Sequence, residues 1–471
     1  MTDFLSEKLY ILKSSALCND FEIKDKNQLV LFNNEVYLVG YEEVEINGEE
    51  YYRIPRFYYN EGFYTSNNII DLSTKGEDID IELQSGIKPL DETQENAIAA
   101  ICNNTHGLIC ARVGFGKTYI ASDAITKIKK KTLIVVNNAS KDGLMDQWID
   151  CILKYTTCKS VGIIRADKFD SEHDVCITTV QTLCSKVRRD DREFMVKMYN
   201  ANFGVTFFDE CHISVAAPEF SESLKTIYSS RLYGLSATPF RTDGLSKLLE
   251  WHIGPEIYND NILFVLPLYV GLLDIPLELG KSLKYLTYGS ATSLPSRYAK
   301  FLTEQDTYIK SFARMVDMCI DAGRNPLVLS SKIDMLYLIE KEMKNKEHVS
   351  IVHADSKTKD YNKRCILATY GMFKMGMNVP HLDTLLFANP LTNKGGLIQA
   401  IGRVARVIKE KPNKNVLIID ITNSAYNVMM DMRKYRTYHY QHMSNNSLHG
   451  VKLVNIEKIE DIQKMCQKLK Y

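Results

Sequence analysis

No apolar run in this 471-residue chain is long enough to cross a bilayer: the longest, Ile262 to Leu273, has 12 residues and contains Pro267 and Gly271, against the roughly 20 required. There is no CxxC pair, and the 11 cysteines are an odd number scattered from Cys18 to Cys466, which argues against a zinc ribbon and against a disulfide framework. Most lie in apolar runs, such as Cys110 in Gly107-Leu-Ile-Cys-Ala and Cys176 in Val175-Cys-Ile-Thr, and read as small buried hydrophobes. An excess of either charge is also missing, with 58 Lys+Arg against 58 Asp+Glu, so bulk charge does not hold the protein to a polyanion. Met1-Thr2-Asp3-Phe4 lacks the basic region and apolar core of a signal peptide, which gives the expectation of an intracellular, cytoplasmic protein. Neither a repeat of solenoid period nor a low-complexity tract interrupts the chain.

What is present is globular: 45% hydrophobic and 25% charged residues, at a length that suits two or three domains. The neutral total hides an asymmetry. Residues 1–86 carry 7 Lys/Arg against 17 Asp/Glu, and residues 87–471 carry 51 against 41. The acidic front also contains Asn33-Asn34 and Asn47-Gly48 between short apolar runs, two hairpin signals that predict a small β-rich domain.

From about residue 106 short Val/Ile/Leu runs alternate with helix-like segments, as in a parallel sheet covered on both faces. Expected strands are 107–111, 132–136, 161–164, 175–179, 205–208 and 232–235, then a second series at 326–329, 349–352, 365–369, 384–387 and 416–419. Residues 252–290, dense in Gly and Pro, read as a linker with strands in it. The expected domains are 1–86 (β-rich), 87–258 and 259–430 (two α/β units), and 431–471 (a helical tail).

Ala111-Arg-Val-Gly-Phe-Gly-Lys-Thr118 fits the phosphate loop GxxxxGK[ST] except for Ala111 at the first glycine, and it lies between an expected strand and an expected helix. Val113, Gly114, Phe115 and Gly116 would turn their amides toward a polyphosphate, Lys117 would neutralise it and Thr118 would bind Mg²⁺. Asp209 and Glu210 end an apolar strand. Two adjacent carboxylates call for a cation there, so Asp209 is read as the second Mg²⁺ ligand and Glu210 as the group that orients or deprotonates an attacking water. Arg403 and Arg406, three apart in Gln399-Ala-Ile-Gly-Arg-Val-Ala-Arg, would share a helix face and could stabilise a transferring phosphoryl group across an interdomain cleft; a surface salt-bridge pair is the plainer reading of the same spacing.

These segments, with Ser236-Ala-Thr-Pro239, stand in the order and spacing of superfamily 2 helicases of the DExH type, and the resemblance spans residues 88 to about 425. It implies two tandem RecA-like domains, ATP and Mg²⁺ as cofactors, and DNA as partner for a monomeric enzyme. The run Ala368-Thr-Tyr-Gly-Met-Phe373 followed by Gly376 is similar to the phage UvsW-like branch-migration helicases, with poxviral transcript-release and XPB-like helicases as further relatives. By the same resemblance Gln94, after Lys88-Pro89-Leu90, reads the adenine edge. Gly376, Asn378 and Gln399 complete the nucleotide contacts, with Asn378 standing where many relatives have Asp. Gln147-Trp148 and Thr179 to Leu183 occupy strand-contacting motifs, and Thr182 and Thr369 are the hydroxyls expected on phosphates. The implied function is an ATP-dependent helicase acting on forked, branched or duplex DNA. An RNA or transcript-release helicase and a nucleotide-gated clamp that does not translocate are the alternatives.

Two segments remain outside that scheme. Tyr52-Arg53-Ile-Pro-Arg56-Phe-Tyr-Tyr59 suits either a local contact patch or packing on the first α/β domain. Met432 to Tyr440 interleaves bases with aromatics; it reads as an amphipathic helix with Tyr435 and Tyr438 on the core and Arg433 and Lys434 in water, the alternative being a base-stacking strand contact.

Overall fold

The computed structural model describes residues 4–13, 28–31, 35–39, 41–57, 70–137, 143–214, 222–237, 246–275, 277, 294–356, 359–374, 379–389, 391, 394–407, 414–423 and 427–469. The chain divides into two compact units, residues 1–111 with 115–260 and residues 112–114 with 261–471. Among the described residues no helix is long and apolar enough to cross a membrane.

The acidic front is β-rich. Strands β1 (Phe4–Leu5), β2 (Leu9–Leu12), β5 (Glu42–Ile46), β6 (Glu49–Ile54) and β7 (Ile70–Asp71) form a sheet in the order β5-β6-β2-β1-β7, and β3 (Gln28–Leu31) pairs with β4 (Glu35–Val39). Asn47 and Gly48 have φ of 51° and 80° in the turn of the antiparallel β5–β6 hairpin, the left-handed pair that Asn-Gly adopts at little strain. Tyr51, Tyr52, Ile54, Arg56 and Phe57 are buried, so the expected contact patch is interior as far as Phe57; Tyr58 and Tyr59 lie outside the described residues. Arg56 Nη1 donates to the Ser229 carbonyl at 2.6 Å, Lys8 Nζ lies 3.2 Å from His252 Nδ1, and the Phe57 ring stacks on His106 at 3.9 Å.

Both imidazoles at this contact are held neutral. Burial, then Arg56, pulls His106 down to about 4, and burial, then Lys8, pulls His252 well below its usual value. A depressed histidine adds stability that is fully present above about 6.5, its unfolded value, and is lost as pH falls toward the folded value. Thermal melts between pH 7 and pH 4 should therefore show a progressive loss of stability, with a shallower slope in His106→Phe; parallel slopes in the two proteins would count against it.

The first α/β unit holds β8 (His106–Cys110), β9 (Thr132–Val136), β10 (Gly162–Arg165), β11 (Lys168–Phe169), β12 (Val175–Thr179), β13 (Val205–Asp209), β14 (Arg231–Ser236) and β15 (Glu256–Asn259), in the order β11-β10-β12-β9-β13-β14-β8-β15. Every pairing is parallel except β10 with β11. Side chains alternate between two cores: Ile134 and Phe207 enter one, Leu133 and Phe208 the other. Burial on both faces is why these strands read as unbroken apolar runs.

The second unit holds β16 (Leu268–Asp274), β17 (Pro326–Ser330), β18 (Val349–Val352), β19 (Cys365–Thr369), β20 (Thr384–Phe387), β21 (Val416–Thr422) and β22 (Val451–Ile456), parallel throughout, in the order β18-β19-β17-β20-β21-β16-β22. The strands expected within the linker are β15, which joins the first sheet, and β16, which joins the second. One expectation changes. The C-terminal segment is not a purely helical tail: between helices Asn427–Asn445 and Asp461–Lys468 it supplies the edge strand β22, because Val451, Leu453 and Ile456 have the β16 face to pack on.

Candidate nucleotide and nucleic-acid site

Four adjacent strands of the first sheet, β9, β13, β14 and β8, end side by side and put their next residues at the carboxyl edge, where open α/β sheets bind ligands. After β8 the loop 111–116 leads into helix Lys117–Ile128. Gly114 and Gly116 have φ of 81° and 92°, and a Cβ on Gly116 would stand 2.8 Å from Gln94 Nε2, so both conformation and space select glycine there. Gln94 is buried; its Nε2 donates to the Phe115 carbonyl at 2.7 Å and its Oε1 accepts from Leu90 N at 2.9 Å. Each end of the amide keeps one further hydrogen-bonding position, the pair that an adenine edge requires. Lys117 Nζ donates to the Ala111 carbonyl at 3.1 Å, and Thr118 occupies the next position of the helix.

Asp209, the last residue of β13, is only 6% exposed. Burial, then the neighbouring Glu210 charge, pushes its carboxyl up to about 6, while Trp148, Lys117 and the Glu210 amide pull the other way. Trp148 Nε1 donates to Asp209 Oδ2 at 2.8 Å and Glu210 N to Oδ1 at 2.9 Å. Trp148, expected on a nucleic-acid strand, is instead buried against this carboxylate. Glu210 has φ of 46°, a left-handed backbone that costs a non-glycine residue about 1–3 kcal/mol. Its Oε2 is buried without a hydrogen-bond partner among the described residues and lies 3.5 Å from His212 Nδ1, which itself is 2.8 Å from Ser236 Oγ at the end of β14. Asn137, just past β9, donates from Nδ2 to the backbone carbonyls of Asp209 and Glu210, each at 3.4 Å, and its own backbone carbonyl accepts from Gln181 Nε2 at 2.5 Å. Asn137 was not anticipated; a polar residue at the end of a buried parallel strand was the available signal.

Gln181 borders a groove of about 650 Å³ lined by Thr179, Thr182, Arg165, Lys186 and Arg189. Thr182 is buried, and its hydroxyl pairs with Thr179 Oγ1 at 2.9 Å, so the helix cap holds the group expected on a phosphate. Arg165 and Arg189 are exposed on the rim.

In the second unit Thr369 ends β19, half-buried at the carboxyl edge of the sheet. Gln399 and Arg403 lie on helix Lys394–Val404. Arg406 lies two residues past its end, so the expected shared helix face is only partly realised. Burial, then the Arg403 charge, pulls Arg406 down to about 9. Gly376 and Asn378 lie outside the described residues, as do Thr238, Pro239 and Arg241.

The donor set fits a magnesium nucleotide: left-handed glycines at a helix start, a buried carboxylate raised toward neutrality, and a buried orphan carboxylate oxygen beside it. Among the described residues no group of three His, Cys, Asp or Glu could cage a metal, so Thr118 and Asp209 would hold Mg²⁺ together with phosphate and water oxygens.

The family described as type III restriction enzyme, res subunit, matches residues 87–241. A protein of Acanthamoeba polyphaga mimivirus named as an ATP-dependent RNA helicase is 28% identical over 357 residues, 72% of this chain and 64% of that protein. One from Escherichia phage T5, named as a helicase, is 22% identical over 68% of this chain and 69% of its own length. The chain thus spans about two thirds of these relatives. The solved structure of S. cerevisiae Dbp5 bound to RNA and ADP BeF3 aligns over 80% of this chain and 93% of that one, at 14% identity and a TM-score of 0.52, which identifies the two α/β units as tandem RecA-like folds. Residues 87–241 are thus similar to the type III restriction enzyme, res subunit, family, and the chain as a whole is similar to viral proteins named as helicases.

Proposed function

We propose that this protein is a nucleic-acid-dependent ATPase that uses hydrolysis to unwind or remodel forked and branched DNA. The observation that carries the reading is the meeting, at four neighbouring strand ends, of the phosphate loop, Asp209-Glu210, the His212–Ser236 pair and Asn137. In this reading the loop amides and Lys117 bind the polyphosphate and Gln94 holds the adenine edge. Glu210 accepts a proton from the attacking water at its orphan Oε2. Magnesium, held through Thr118 and Asp209, supplies charge neutralisation at the phosphates. Arg403 and Arg406 stabilise the transferring phosphoryl group, with Gly376, Asn378 and Gln399 as further nucleotide contacts. Differential contact of the arginines with ATP and ADP is the source of motion, since only such a difference shifts a conformational equilibrium.

The proposed nucleic-acid contacts are the groove beside Thr182 in the first unit and, separately, Thr369 in the second. Asn137 joins the groove to the carboxylate pair through Gln181, a physical route by which a bound strand and the hydrolysis site sense one another. Arg165→Ala and Arg189→Ala should each weaken binding of unrelated oligonucleotides by similar factors and lower the salt slope of log K by about 1. Anisotropy titrations at several salt concentrations test this, and an unchanged slope in both variants would remove the groove from the interface.

Steady-state ATPase assays with single-stranded DNA, duplex, a four-way junction and single-stranded RNA, with Lys117→Ala as blank, test the function. Greatest stimulation by branched DNA supports the remodelling motor, for which the UvsW-like run at Ala368–Phe373 speaks. The RNA-helicase name of the mimiviral relative favours RNA as the second reading, and stimulation by RNA at least as strong as by DNA would establish it. Stimulated hydrolysis without strand displacement would leave a nucleotide-gated clamp.

A further inference from the structure

The C-terminal helix Asn427–Asn445 turns an aromatic face to solvent. Its inward side carries Met429, Met432, Arg436, Tyr440 and Met443, all buried. The outward stripe is Asp431, Lys434, Tyr435, Tyr438, Gln441 and His442. Tyr435 and Tyr438 are 38% and 63% exposed, which overturns their expected place on the core. The Tyr438 and His442 rings are within 7° of parallel at 6.3 Å, so they present faces of one orientation.

His439 lies between the two tyrosines. Its ring meets Tyr435 at 4.3 Å and 79°, and Tyr438 at 5.3 Å and 71°, edge-to-face contacts that fix ring planes. It is 7% exposed, and neither ring nitrogen has a hydrogen-bond partner among the described residues. A buried polar group left in that state is costly, and a ligand with hydrogen-bonding edges would satisfy it. Burial, then the Lys394 and His442 charges, pulls this imidazole below its usual value, so Lys394 is close by. Neither Lys394 nor Arg433 is in an ion pair with a described residue, while the one carboxylate of the stripe, Asp431, is engaged by Lys434 at 3.3 Å.

Exposed parallel rings with a cation, Lys394, beside them are the composition that single strands require, since every base has a stacking face and every linkage a charge. Position supports the same occupant. Tyr370, next to Thr369, feels the charges of Arg436 and Asp420, so the middle of this helix lies near the end of β19, where the proposed function puts phosphate. We propose that Tyr435, Tyr438 and His442 form a nucleobase-stacking platform for single-stranded nucleic acid, with Lys394 on its phosphates. The proposal rests on the motor reading.

The test is binding of the full-length protein to a fluorescein-labelled oligothymidylate and to an abasic strand of equal length. Stacking on one aromatic contributes about 1–3 kcal/mol, so Tyr435→Ala with Tyr438→Ala should weaken oligothymidylate binding at least about fivefold. The Phe pair at the same positions should restore it, and the abasic strand should bind wild type and variant alike. If the Ala pair binds oligothymidylate as wild type does, or loses both strands equally, the platform is overturned while the motor reading stands. If wild type binds no nucleic acid at all, the motor reading fails first and the platform with it.

Discussion

Glu210→Gln should bind ATP as tightly as the wild type and hydrolyse it about 10²- to 10⁴-fold more slowly, the range expected for loss of a general base. The substitution keeps side-chain volume and the left-handed backbone, and it leaves Asp209 its hydrogen bond from the residue 210 amide. It removes the basicity of Oε2. That oxygen is buried without a hydrogen-bond partner among the described residues, with only His212 nearby at 3.5 Å, and a folded protein keeps such a group where a reactant will meet it. Single-turnover hydrolysis beside binding of a fluorescent nucleotide separates the two effects. Hydrolysis within threefold of wild type would take Glu210 out of the chemistry.

The strands at 132–136, 175–179 and 365–369 were legible in the sequence because burial on both faces leaves a bounded apolar run. The phosphate loop and Asp209-Glu210 were legible because their chemistry is local in sequence. What was not legible depended on distant partners. The strands expected in the linker did not show which sheet they join: a Cβ on Gly271 of β16 would come 2.4 Å from Ile456 Cδ1 of β22, so the glycine marks a close approach inside the second sheet. β22 itself alternates half-buried with exposed residues, and its partner strand lies some 180 residues upstream. Trp148 looked like a surface reader until the fold brought Asp209 to its indole. In the C-terminal helix, aromatic character suggested the wrong inner face, because one of the residues on the true inner face is an arginine, Arg436, buried in an ion pair with the distant Asp420.

That arginine gives the second large effect. Asp420→Ala should destabilise the protein by about 3–5 kcal/mol, the usual result of stranding one member of a buried ion pair. Arg436 and Asp420 are 1% and 3% exposed, and the guanidinium donates from Nε at 2.8 and 3.0 Å and from Nη2 at 2.7 Å. Burial alone would pull Arg436 down, but the Asp420 charge and hydrogen bonds hold it above its ordinary value. Replacing both partners, as Asp420→Leu with Arg436→Met, should recover most of the loss, because no charge is then left unpaired. Denaturant unfolding of wild type, Asp420→Leu, Arg436→Met and the double variant measures the coupling, and an Asp420→Ala protein within 1 kcal/mol of wild type would show that the pair contributes little. The double variant also separates stability from orientation. Met432, Tyr440 and Met443 share the buried face with Arg436, so a well-folded protein lacking the pair should keep its oligothymidylate affinity, and a loss would show that the ion pair sets the rotation of the helix.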